Sequence, residues 1–206
     1  MKAGKKHAAR CIVLSSLVAA AGAAAADSVV VVSVGGKSFT AMVEDSETGR
    51  AFVEKLPLTL SMNELNGNEK YCYGVSLPTA STYYGTIKAG DLMLYGSNCL
   101  VLFYGAAGGY SYTRVGRLTS TDGLAAAVGR GTASVTFDKA KLKADIKMNG
   151  DIPSVTAVTN LPEGTALTTL SAKTPAAPEA EWKDHDALPD AEKSERRFFK
   201  VKATIE

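Results

Sequence analysis

The chain has 206 residues, 46% of them hydrophobic, with 23 Lys+Arg against 21 Asp+Glu. That length and apolar content support one ordinary domain with additions. Beyond the first ten residues the chain offers no polybasic stripe of the kind that neutralises nucleic-acid phosphates, so no nucleic-acid partner is expected.

The first segment, "MKAGKKHAAR", carries Lys2, Lys5, Lys6 and Arg10 and no acid. An apolar run from Ile12 to Ala21 follows, then "GAAAAD". A basic start, a short apolar stretch and a small-residue junction are the pattern of an export leader, with cleavage expected after Ala26. The apolar run is too short to cross a bilayer core of ~30 Å as a helix, so no stable membrane span is expected after cleavage. Cys11 precedes the apolar run, which is not the position of a lipid-attachment cysteine. The expected location is exported: periplasmic, secreted or at the cell surface. Removing the four leader cations from the 23 leaves 19 basic residues against 21 acidic, so the mature chain is slightly acidic.

Residues 28–34, "SVVVVSV", and 37–43, "KSFTAMV", are joined by Gly35-Gly36 and predict a hairpin with a primed turn. "EDSETGRAFVEKL" predicts a short helix, with Asp45 or Ser46 as N-cap, Ala51, Phe52 and Leu56 at helical spacing, and Pro57 as the stop. Leu56, Leu58, Leu60 and Met62 then alternate with polar residues, as in a half-buried strand. Asn66-Gly67 marks a turn before the short aromatic strand "EKYCY", and "SLPTASTYYG" reads as loop. "GDLMLYG" and "CLVLFYG" are continuous apolar runs separated by "GSN", the signature of neighbouring strands buried on both sides. "YSYTRVGRL" reads as an alternating strand, "TSTDGLAAAVG" as one or two helical turns, and "TASVTF" as a closing strand. Many short strands at tight spacing predict a small barrel or sandwich.

Composition shifts near Asp138. "DKAKLKADIKMNGD" is charged, and "SAKTPAAPEAEWKDHDALPDAEKSE" has the Pro, Ala and acid content of an exposed loop. "SVTAVTNL", "TALTTLSA" and "RRFFKVKATIE" read as strands, the last with Phe199, Val201, Ala203 and Ile205 on one face. The expected layout is a leader over 1–26, a barrel domain over 27–138, and a small β-rich C-terminal extension over 139–206.

Reactive chemistry is sparse. After the leader, His185 is the one remaining histidine, within "KDHDALP". One His and two loop carboxylates fall short of a closed metal site, so no metal, cofactor or catalytic residue is assigned. The shortage of histidine disfavours Ser-His-Asp chemistry. Cys99 stands among Leu100, Val101 and Leu102, where an apolar setting raises a thiol's pKa and makes it unreactive. Cys72 and Cys99 could close a disulfide in an oxidising compartment or remain two buried thiols, and their strand settings favour the thiols. Asp91 in "AGDL" reads as a turn residue. Tyr104, Tyr110, Tyr112 and Arg114 form a candidate binding rim suited to a peptide, protein or sugar partner, against the favoured reading in which the rings cover the barrel's ends with their hydroxyls in water.

Three segments, taken in order, carry a resemblance: "GGKSFTAMVEDSETGRAFVEKLPLTLSMNELNGNEKY", "GTIKAGDLMLYGSNCLVLFYG" and "GRLTSTDGLAAAVG". With them, residues 28–137 resemble the cyclophilin-like domain of bacterial proteins of unknown function, distant relatives of peptidyl-prolyl isomerases. The resemblance implies a mainly β fold, a closed antiparallel barrel of about eight strands with one or two capping helices. It also implies that "GSNCLV" corresponds to the G-S-Q-F-F-type segment of true cyclophilins, which adds Asn98 to the candidate rim. In that segment Asn98 replaces a glutamine and Cys99 an aromatic. The arginine-bearing F-H-R-V-type segment has no counterpart. The expected function is therefore an exported, non-enzymatic binding or structural module. The alternative is a divergent peptidyl-prolyl cis-trans isomerase acting on envelope peptides.

Overall fold

A computed structural model describes residues 12–19, 28–150, 152–196 and 198–205, with side chains from residue 28 onward. The expected cleavage point at Ala26 lies outside the described residues. Within the first 26 residues, Ile12–Ala19 forms a strand, β1. The described chain divides mainly into two compact units, one of residues 28–140 with 160–164, the other of 12–18, 141–159 and 165–204.

The first unit begins with the hairpin β2 (Ser28–Val34) and β3 (Lys37–Val43). Gly35 and Gly36 have φ of 57° and 76°, the paired left-handed conformations that a primed turn requires. At Gly35 a side chain would also collide with backbone, because an added Cβ would lie 2.1 Å from Ala127 O. Helix α1 (Glu47–Glu54) follows. Ser46 is its cap, with Oγ accepting from Gly49 N–H at 3.0 Å. The chain then forms β4 (Leu58–Leu65), β5 (Glu69–Tyr73), β6 (Thr82–Tyr84), β7 (Asp91–Tyr95), β8 (Cys99–Phe103) and β9 (Tyr110–Leu118). Helix α2 (Leu124–Val128) and β10 (Ala133–Lys139) complete the unit.

Strand order is β3-β2-β10-β4-β5-β8-β7-β9, and β3 pairs back to β9 through Ala41↔Leu118, Met42↔Arg117 and Val43↔Gly116. This is a closed antiparallel barrel of eight strands, as expected, with β6 added outside on β9. The short strand β6 is a correction to the loop reading of residues 76–85. Backbone pairing Tyr84↔Tyr110 and Thr82↔Tyr112 recruits it. A second correction concerns β9, whose burial does not alternate strictly, because its register with β7 shifts between Leu92 and Met93.

The barrel interior is filled by its own side chains. Val30, Val32, Phe39, Leu92, Leu100 and Phe137 belong to one continuous buried cluster, which also takes in Phe52 of α1 and Leu124 and Val128 of α2. Phe52 meets Phe137 edge-to-face at 5.5 Å. Two buried charges hold the barrel's loops. Asp91, fully buried, accepts from Lys88 N–H at 2.8 Å and from Arg117 Nε at 2.6 Å. It is the turn residue expected. Lys70, also 0% exposed, donates to Glu64 Oε2 at 2.5 Å, Gly129 O at 2.9 Å and Gly131 O at 2.6 Å.

The second unit contains a hairpin, β11 (Leu142–Asn149) with β12 (Ile152–Thr159), and a sheet of order β1-β15-β13-β14. The sheet's other strands are β13 (Ala166–Ala172), β14 (Lys183–Asp184) and β15 (Phe198–Ile205). A 3-10 turn at Glu179–Glu181 and helix α3 (Asp190–Lys193) lie between them. Phe199, Val201, Ala203 and Ile205 of β15 are buried in alternation, as the sequence predicts. The charged stretch before residue 150, to which the sequence assigned no element, forms strand β11, because pairing with β12 satisfies its backbone without requiring apolar side chains. One expectation is corrected. His185 is a core residue and not an exposed linker residue. Its ring lies edge-on to Phe199 at 5.0 Å, and its nitrogens meet Ser171 Oγ and Pro153 O, each at 3.1 Å.

Two stability outcomes follow. Lys70→Met leaves two loop carbonyls and the Glu64 carboxylate without their shared cation, and should cost about 3–5 kcal/mol in urea unfolding. His185→Ala should raise hydrogen exchange in the β11–β12 hairpin while leaving the barrel amides protected, since the ring is the link from Pro153 to Ser171 within that unit.

Candidate functional site

Alternation along β5 and β8 gives the barrel two different faces. The inward row contains Lys70, Cys72, Leu100 and Leu102. The outward row pairs Glu69 with Phe103, Tyr71 with Val101 and Tyr73 with Cys99. Met93 and Tyr95 of β7 extend that outer row opposite Val101 and Cys99. A second buried cluster forms there from Ile87, Met93, Cys99, Val101, Phe103 and Tyr112. This answers why β7 and β8 are apolar at successive positions: both of their faces are covered.

The outer cluster is the floor of a groove of about 470 Å³. Its walls are aromatic. Tyr71 and Tyr73 meet edge-to-face at 5.9 Å, Phe103 meets Tyr112 at 5.6 Å, and Tyr95 lies 5.6 Å from Tyr112 and 6.4 Å from Tyr110. Tyr110, 59% exposed, stands on the rim, whereas Tyr112 is buried in the floor. Residues Asn66, Asn68, Ala107 and Gly108 contribute from the loops.

One charged residue lines this apolar surface. Glu69 is 6% exposed, and its carboxyl has neither a hydrogen-bond donor nor an ion-pair partner among the described residues. Burial raises its pKa above the ordinary 4.5. Its neighbour Asn68 donates Nδ2–H to Ala106 O at 2.9 Å, while Asn68 Oδ1 is buried without a partner. Burial also raises the Cys99 thiol from 9.0 to about 11 and the Tyr112 hydroxyl from 10.0 to about 12, with Cys72 and Glu69, respectively, the next largest contributors.

The structure brings Tyr110 and Tyr112 into the groove but not the rest of the candidate rim. Tyr104 is one residue past Phe103, so alternation sends it to the other face. There its hydroxyl donates to Glu64 and its ring lies 5.6 Å from Lys70 Nζ. Arg114 lies over Tyr84 at 4.8 Å and near Glu44 at 3.7 Å, outside the groove lining. Asn98 is a turn residue whose carbonyl accepts from Gly74 and Val75 N–H at 2.9 and 3.0 Å. Cys72 and Cys99 are free thiols whose side chains lie on opposite faces of neighbouring strands. Sequence reasoning missed Glu69, Tyr71 and Tyr73. Their i, i+2, i+4 spacing in "EKYCY" placed them on one face, but nothing in that spacing said which face was outward.

No group of three or more His, Cys, Asp and Glu among the described residues is arranged to hold a metal ion. No described helix is long and apolar enough to cross a membrane. A profile of the cyclophilin-like family matches residues 32–138. The chain belongs to the cyclophilin-like family. No curated protein and no solved structure matches it significantly. The match spans the barrel from β2 to β10 and therefore every residue of the groove.

The raised thiol and phenol set an alkaline limit. Groups whose folded pKa exceeds the unfolded value lend stability that is complete below the unfolded pKa and is lost as pH rises through the folded one. Stability should therefore hold up to about pH 9 and fall between about pH 9 and 12. Denaturation midpoints near about pH 8 and about pH 10.5 should differ less in a Cys99→Ala/Tyr112→Phe variant than in the parent.

Proposed function

We propose that this cyclophilin-like protein is an exported binding module that receives a peptide segment in the outer tyrosine groove and does not catalyse its isomerisation. The observation that carries the reading is the groove itself. An aromatic cleft of about 470 Å³ is large enough for one or two side chains, and its floor offers unpaired acceptors to amide or side-chain donors. Tyrosine rings give large contact area at low entropic cost, and their hydroxyls can pair with peptide carbonyls. The basic, apolar, small-residue order of residues 1–26 supports export.

The non-catalytic part rests on charge. Rotation about a prolyl amide is accelerated when the twisted amide is stabilised electrostatically by fixed donors. The groove lining contains no arginine or lysine, and Arg114 is committed to Tyr84 and Glu44. The fold alone does not supply the activity.

The test is a titration of the isotope-labelled full-length chain with a set of capped pentapeptides, followed by amide and tyrosine-ring shifts. Shifts should concentrate on β5, β8 and β9 at the groove, and Tyr110→Ala should weaken binding by about tenfold. A prolyl-peptide assay should remain at background. Turnover well above background that falls on changing Tyr112 would establish the isomerase alternative instead.

A further inference from the structure

Every other fully buried charge of the barrel unit is matched. Asp91 has Arg117 and a backbone amide, and Lys70 has Glu64 and two carbonyls. Glu69 departs from that pattern. The residue is more than nine-tenths buried at the edge of a groove, its carboxyl has no donor among the described residues, its oxygens are not fully enclosed by protein, and the lining contains no cation. A carboxyl held this way is costly when ionised, unless something brought into the groove supplies the missing charge and hydrogen bonds.

The surrounding surface narrows what that can be. Phe103 and Tyr71 flank Glu69 through the β8 and β5 pairing, and Tyr112 feels its charge across the floor. Aromatic faces attract cations electrostatically, and an apolar stem can lie along them while its charged end reaches an acid. A neutral apolar side chain would bury Glu69 further with no compensating donor. An acidic one would add repulsion. Asn68 Oδ1, unpaired at the same wall, adds a second acceptor and no competing positive charge.

We infer that the groove is a recognition pocket for a basic side chain, lysine or arginine, of the bound peptide, with the Glu69 carboxylate as its counter-ion and the tyrosine and phenylalanine rings around its stem. This rests on the peptide-binding reading and adds the class of residue that enters. Binding pairs the Glu69 carboxylate with the ligand cation, any proton on the carboxyl passing to solvent, so no covalent step is involved.

The experiment uses the full-length chain and capped pentapeptides Ac-Ala-Ala-Xaa-Ala-Ala-amide, with Xaa as lysine, arginine or norleucine, read by groove amide shifts. Norleucine keeps the lysine stem and lacks the charge. The basic peptides should bind at least about tenfold more tightly than the norleucine peptide in the parent chain. Glu69→Gln should bring all three to similar affinity while keeping the norleucine peptide bound. Equal or tighter binding of norleucine in the parent, or a basic preference that persists in Glu69→Gln, overturns the charge assignment and leaves groove binding standing. Absence of groove shifts with any of the three peptides overturns both readings.

Discussion

Strands β7 and β8 are covered on both faces, and most of the rest follows from that. Leu92, Leu94, Leu100 and Leu102 face the barrel interior, while Met93, Cys99, Val101 and Phe103 face a second cluster outside it. Fully burying one such side chain is worth about 1.5–3 kcal/mol, so a strand apolar at every position contributes on both sides at once. Closure of β3 onto β9 removes the exposed edges that so apolar a sheet would otherwise present to other chains. The outer cluster needs a cover of its own. The loops carrying Ile87 and Ala107 and the ring of Tyr112 provide part of it, and where that cover stops the groove begins.

Charge is handled differently in the two places. Inside the barrel unit, burial of Asp91 and Lys70 is matched by short hydrogen bonds that clamp the turn at residues 88–91 and the loop after α2. These charges fix loop geometry, because removing one partner would strand the other away from water. At the groove the same burial acts on Glu69 with no internal match. Asp91 and Lys70 have internal partners where Glu69 has none, and the aromatic walls restrict what can approach it.

The cyclophilin-like chain folds as a closed barrel with an aromatic groove on its outer surface. Tyrosines and one carboxyl line the groove, while Arg114 is held outside it by Tyr84 and Glu44. The second unit is built on other principles. Its β15 buries alternate residues, and its one described histidine serves as a hydrogen-bonded core ring linking Pro153 and Ser171.

Local patterns in the sequence determined the hairpin at Gly35-Gly36, a helix cap at Asp45 or Ser46, the alternation of β4 and β15 and the double burial of β7 and β8. Each depends on neighbours a few residues apart, through backbone sterics or the two-residue pleat. The family segments carried the closure into a barrel. Only the tertiary structure decided which row of β5 faces outward, since a one-residue change of register exchanges Glu69 and Tyr71 for Lys70 and Cys72. It alone separated Tyr110 and Tyr112 from Tyr104, and turned the polar surroundings of His185 into a buried site. Side-chain parity is set by pairing with strands far away in the chain, and that long-range pairing, not the composition of any one segment, assembles the groove.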